Sequence, residues 1–165
     1  MLVKIYWIDG VESGRLGIMP RPRGGDWLED EIRSLKESGV DVVASLLEGE
    51  EIAELDIAGE CPACEACGIS YLSFPIRDFS VPRSKQEALS FAGSLLDVLR
   101  EGKSVVIHCR QGIGRSSLMA ACVLLLGGTS PDEAFRRIET ARGRPAPDTA
   151  EQREWVFRLA EDFSA

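Results

Sequence analysis

The apolar positions of the chain fall into short runs that alternate with longer stretches of helical spacing. At the start, LVKIYWI and GRLGIMP are rich in aliphatic and aromatic residues and are followed by RPRGG, which predicts two strands and a loop. In DWLEDEIRSLKESG, Leu28, Ile32 and Leu35 recur at helical spacing, with Asp26 expected as the N-cap and Gly39 as the stop. VDVVASLL reads as a strand, EGEEIAELDI as a helix, ISYLSFPI as a strand and RDFSVP as a loop. Between Ser84 and Arg100, the residues Ala88, Ala92, Leu95, Leu96 and Leu99 form one apolar stripe, which predicts a long helix. KSVVIH follows as a buried strand. Three more helices are expected: after Arg115, at SPDEAFRRI with Ser130 and Glu133 as a capping box, and at PDTAEQREWVFRLAEDF. Strands alternating with helices predict an α/β fold, a central, mostly parallel sheet flanked by helices on both faces. Such sheets bind ligands at the carboxyl ends of their strands, and His108 and Cys109 stand at one such end.

Composition narrows the partners. A chain of 165 residues with 44% hydrophobic content is expected to be a single domain, residues 1–165, around one core. The net charge of −8 gives no overall attraction to nucleic acid or anionic lipid, so neither is expected as a partner, and an anionic ligand needs a local site. MLVKIYWIDG lacks the basic segment and long apolar run of a secretory signal. The longest apolar run, Leu118 to Leu126, falls short of the roughly 20 residues that span a membrane. Five cysteines, an odd number, then point to reduced thiols; a monomer in the cytoplasm is expected.

The stretch VVIHCRQGIGRSS joins a predicted strand to a predicted helix and carries the only histidine. Between Cys109 and Arg115, the glycines Gly112 and Gly114 accept backbone angles that other residues resist, so the amides of Arg110, Gln111, Gly112, Ile113, Gly114 and Arg115 can curl around one point. Those donors, the positive helix end and the planar fork of Arg115 favour a dianion such as phosphate. The same surroundings favour the anionic form of a thiol, so Cys109 is expected as a thiolate nucleophile at the base of the cradle.

This string resembles the signature of cysteine-dependent protein phosphatases, and the length is similar to their compact dual-specificity type. The resemblance covers roughly residues 70 to 160. It implies a phosphatase fold with a Cys-x5-Arg phosphate loop, and hydrolysis of phosphotyrosine, with phosphoserine and phosphothreonine as further substrates, through a cysteinyl-phosphate. Cys109 then attacks phosphorus, Arg115 binds the equatorial oxygens, His108 orders the loop and Ser116 donates to the departing sulfur. Asp78, bracketed by Pro75 and Pro82 in FPIRDFSVP, fits the family's general acid. Gln152 fits its water-orienting glutamine, or else forms a capping box with Thr149. Arg77 and Arg110 add positive charge at the rim, or are solvated. The implied partner is a phosphorylated protein or peptide. No cofactor or metal is expected, since Arg115 and the amides supply the charge stabilisation.

Alternatives stay open: a phosphoinositide or other small phosphate ester as substrate, or a rhodanese-like sulfurtransferase, whose loop also begins with cysteine. CPACEAC, residues 61–67, reads as a cysteine-rich loop insertion. Its thiols are uninvolved, or exchange disulfides with Cys109, or bind a metal, for which a fourth ligand is missing.

Overall fold

The computed structural model describes residues 3–164. Its strands are β1 (Tyr6–Ile8), β2 (Arg15–Met19), β3 (Val42–Ser45), β4 (Ser70–Ser73) and β5 (Ser104–His108), ordered β1-β2-β5-β3-β4 in one sheet. Only β1 runs antiparallel, as a hairpin with β2; the other pairs are parallel, so the expected largely parallel sheet is found. Strand β5 lies in the middle and all five of its residues are buried, which is why SVVIH reads as a continuous apolar run. In register, His108 lies opposite Met19 on β2 and Ser45 on β3.

The helices are α1 (Leu28–Glu37), α2 (Gly49–Glu54), α3 (Glu60–Ala66), α4 (Lys85–Arg100), α5 (Gly114–Leu126), α6 (Pro131–Arg142) and α7 (Ala150–Ser164). On one face of the sheet, Leu16, Ile18, Ala44, Val105 and Ile107 pack with apolar residues of α4, α5, α6 and α7. On the other, Met19, Val43 and Val106 pack with α1 and α3 through Ile32, Leu35 and Cys64. Each such aliphatic side chain taken from water contributes about 1.5–3 kcal/mol. Helix α5 is buried from Gly114 to Leu125, because α4, α6 and α7 surround the sides that the sheet leaves free. Its start is therefore fixed against β5, and the Cys109–Arg115 loop is held from both ends. None of the described helices is long and apolar enough to cross a membrane.

Two local expectations are corrected. Asp26 does not cap α1. The amide of Gly25 bonds the carbonyl of Asp56 at 2.9 Å, the chain enters through a tight 3-10 turn over Gly25–Trp27, and the N-cap is Trp27 without a side-chain bond. Residues 61–67 are not a loop: they lie in α3 and its C-cap. Pro62 falls in the first turn, where its missing N–H has no helical partner to lose, and Cys64 faces the core.

Candidate active site

The loop from Cys109 to Arg115 connects the carboxyl end of β5 to the amino end of α5. Its carbonyls are engaged from outside one after another. His108 Nδ1 faces the Cys109 oxygen at 3.3 Å, the Arg21 amide donates to the Arg110 oxygen at 3.2 Å, and Arg142 donates to the oxygens of Gln111 and Gly112 at 3.4 and 3.1 Å. In a planar trans peptide the N–H points opposite to the C=O. Turning four successive carbonyls outward therefore turns the amides of Arg110, Gln111, Gly112 and Ile113 toward the inside of the curl. Gly112 has φ +72, and a β-carbon there would collide with the backbone of Met19 and Pro20. Gly114 is required for a different reason, since a β-carbon there would overlap Oδ2 of Asp148.

Cys109 is 3% exposed and Arg115 1% exposed. The Arg115 guanidinium donates from both terminal nitrogens to Glu51, at 2.8 and 2.9 Å, and to the Ile76 carbonyl at 2.9 Å. Its Nη2 also lies 3.1 Å from Oδ1 of Asp78. Only its buried Nε has no partner among the described residues. Burial works against the charge of Arg115, yet the Glu51 hydrogen bonds and the Cys109, Glu51 and Asp78 charges hold its pKa above the ordinary value. Burial likewise pushes the Glu51 carboxyl up, but the bonds from Arg115 and the Glu48 amide, with the charges of Arg115 and Arg110, bring it below 4.5.

His108 is wholly buried, and its Nε2 lies 2.7 Å from Oε2 of Glu60, the first residue of α3. The ring is thus fixed on both sides, by the loop carbonyl and by a carboxylate. The hydroxyls of Ser116 and Ser117 are buried without a hydrogen-bond partner among the described residues. Asp78 accepts the amide of Phe79 at 3.0 Å and sits on the loop after β4, where the sequence places a candidate acid. Beside it, a cleft of about 340 Å³ is lined by Arg77, Arg83, Ile76 and Val81 among others. Arg110 is less available than its sequence position implies, because it pairs with Glu54 at 3.0 Å.

Gln152 forms the capping box. Its amide donates to the Thr149 hydroxyl oxygen at 3.1 Å, while its side-chain oxygen accepts the amides of Asp148 and Thr149 at 3.1 and 3.3 Å. Its side-chain nitrogen donates to the Ser80 carbonyl at 3.0 Å, which ties α7 to the Asp78 loop. With its oxygen committed to the cap, the structure supports the capping role.

All five cysteines are free. Cys109 belongs to the apolar cluster on one face and Cys64 to that on the other, which separates them by the sheet and argues against disulfide exchange. Among the described residues, no group of three or more His, Cys, Asp or Glu side chains is placed to hold a metal ion. A larger pocket of about 650 Å³ lies between α1 and α3 and contains none of the loop residues. Glu51, Glu60, Arg142 and Asp148 are contributions that the sequence pattern does not single out. Glu51 alone left a trace, as an acidic residue just beyond the carboxyl end of β3, next to β5.

Comparison with known proteins gives the same answer as the loop. The human cyclin-dependent kinase inhibitor 3 is 26% identical over 140 residues, which are 84% of this chain; the chain spans 66% of that relative's length. The crystal structure of kinase associated phosphatase, with its catalytic-site cysteine replaced by serine, superposes with a TM-score of 0.89 at 22% identity, over 100% of this chain and 98% of that one. Tk-PTP in its active form superposes at 0.75 with 29% identity, covering 95% and 96%. Residues 17–129 match the family described as "Polymorphic toxin system, DSP-PTPase phosphatase". By that match, which runs from β2 through the Cys109 loop and α5, this chain is a member of the DSP-PTPase phosphatase family.

Proposed function

We propose that the chain is a protein phosphatase that hydrolyses phosphotyrosine, with phosphoserine and phosphothreonine as further candidates, through a cysteinyl-phosphate. The observation that carries this reading is the outward anchoring of four consecutive loop carbonyls around Cys109, which leaves the amides free for a phosphate group. The phosphoryl oxygens occupy the curl of amides and the Nε of Arg115. Sγ of Cys109 attacks phosphorus, the bond from phosphorus to the ester oxygen breaks, and the leaving oxygen takes a proton from Asp78. Ser116 donates to the sulfur, consistent with a buried hydroxyl that has no other partner among the described residues. His108 holds the loop through the Cys109 carbonyl and is itself held by Glu60. Water then hydrolyses the cysteinyl-phosphate and restores the enzyme.

The test is release of phosphate from p-nitrophenyl phosphate by the wild type and its loss in Cys109→Ser. A Cys109→Ser variant that retains activity overturns the assignment of the nucleophile. An Asp78→Ala variant that traps ligand, offered phosphotyrosine, phosphothreonine and phosphoinositide side by side, identifies the substrate class.

A further inference from the structure

The hydrolytic second step needs a group that positions water and takes its proton, and the glutamine that fits this duty by sequence has its oxygen in a helix cap. Four residues before it, Asp148 precedes α7 in a segment fixed by that same cap, through its own amide. Its Oδ2 lies against Gly114, the last loop residue before Arg115, on the spot that any side chain at position 114 would fill. Gln152 also bonds Ser80, so the Asp78 loop and the Asp148 segment are joined through that one side chain. Asp78 itself is turned onto Arg115.

We infer that Asp148 is a second catalytic carboxylate, the base for hydrolysis of the cysteinyl-phosphate, working opposite Asp78 at the rim of the loop. This rests on the phosphatase reading above. In the step, the water oxygen bonds to phosphorus, its proton passes to the Asp148 carboxylate, and the sulfur–phosphorus bond breaks. The electron pair of that bond returns to Cys109 as thiolate. Inorganic phosphate leaves, Asp148 gives its proton to solvent, and Asp78, which lost its proton to the leaving group in the first step, takes one up from solvent. The charged groups that act on Asp148 divide its surroundings: burial raises its pKa above the ordinary aspartate value, the Asp78 charge adds to this, and Arg144 and Arg115 oppose it. A raised value makes the carboxylate a stronger base than a solvated aspartate.

The experiment follows both steps of p-nitrophenyl phosphate turnover by stopped flow and acid quench in the wild type, Asp148→Asn and Asp78→Asn. Asp148→Asn is expected to form the phosphoenzyme at the wild-type rate within twofold and to hydrolyse it at least about tenfold more slowly. Phosphoenzyme then accumulates, with a burst of p-nitrophenol, and an intact first step shows that the variant is folded. Asp78→Asn slows the first step instead. Hydrolysis of the phosphoenzyme at the wild-type rate in Asp148→Asn overturns the inference while the phosphatase reading stands, and so does equal slowing of both steps. A wild type that forms no phosphoenzyme overturns both.

Discussion

Arg115 is a buried cation, and its counter-charge comes from within the chain. Glu51 supplies it with two hydrogen bonds, and Asp78 adds a third contact. Leaving a buried charge without its partner costs several kcal/mol. Here Asp78 and the Ile76 carbonyl remain, so Glu51→Gln is expected to destabilise by about 2 kcal/mol at pH 7, measured by urea denaturation. The pH dependence has a definite sign. The folded-state pKa of Glu51 lies below its ordinary value of 4.5, so its contribution is complete above that value and is lost as the pH falls through the lowered folded-state pKa. The gap between wild type and Glu51→Gln therefore closes in acid. A gap that stays constant down to the acid unfolding of the wild type contradicts the ion pair. The same pairing explains why much of the site was hidden in the sequence. Cys109, the two glycines and Arg115 sit in one string because the cradle is a local backbone structure. Glu51 lies 64 residues from Arg115, Glu60 48 from His108, and Arg142 30 from Gly112. Apart from the place of Glu51 beyond the carboxyl end of β3, nothing local in the sequence distinguishes them from other charged residues.

Helix α3 joins the sheet core to the loop. Glu60 at its start holds His108, and four residues on, Cys64 enters the cluster with Ile32, Leu35 and Val43. Its thiol is pushed up to about 12, first by burial and then by the charge of Glu60. A group so poor at ionising is a packing element and not a redox partner. Cys64→Ser buries a hydroxyl in an apolar cluster and is expected to cost about 2 kcal/mol, whereas Cys61→Ser, half-exposed beside Glu65, stays within about 0.5 kcal/mol. Equal losses in urea denaturation would mean that α3 is not packed as described. Periodicity misses this helix because three cysteines and a proline in seven residues suggest ligation or a turn, and only the tertiary contacts of Cys64 decide otherwise. Where the signals are stronger they hold. Ser84 caps α4 by accepting the Glu87 amide, and Ser130 caps α6 likewise. Even so, only half of the Ser130 capping box forms, because Glu133 turns its carboxylate to Arg136 and Arg137. An arginine one turn along the helix competes for the same oxygens.

The molecule as a whole carries −8, yet its proposed substrate is an anion. Two length scales act in opposite directions. At long range the net charge repels a phosphopeptide and slows encounter, an effect that salt screens over a Debye length of about 10 Å at 0.1 M. At short range, in the proposed binding mode, the loop amides, the helix end and Arg115 hold the phosphate in a buried setting where screening is weak. The cleft beside Asp78 adds Arg77, an exposed side chain with no ion-pair partner among the described residues, and Arg83; Arg110 is largely neutralised by Glu54. On the proposed reading, the peptide flanks meet mainly the field of the acidic surface and the phosphate mainly the cradle. Between about 20 and 200 mM salt, kcat/KM for a phosphopeptide with acidic flanks should rise by a few-fold, because screening removes repulsion. For a peptide with basic flanks it should fall by a similar factor, while kcat changes little for either. Salt slopes of the same sign and size for the two peptides would show that the surface field plays no part in encounter and that the cradle alone sets the rate.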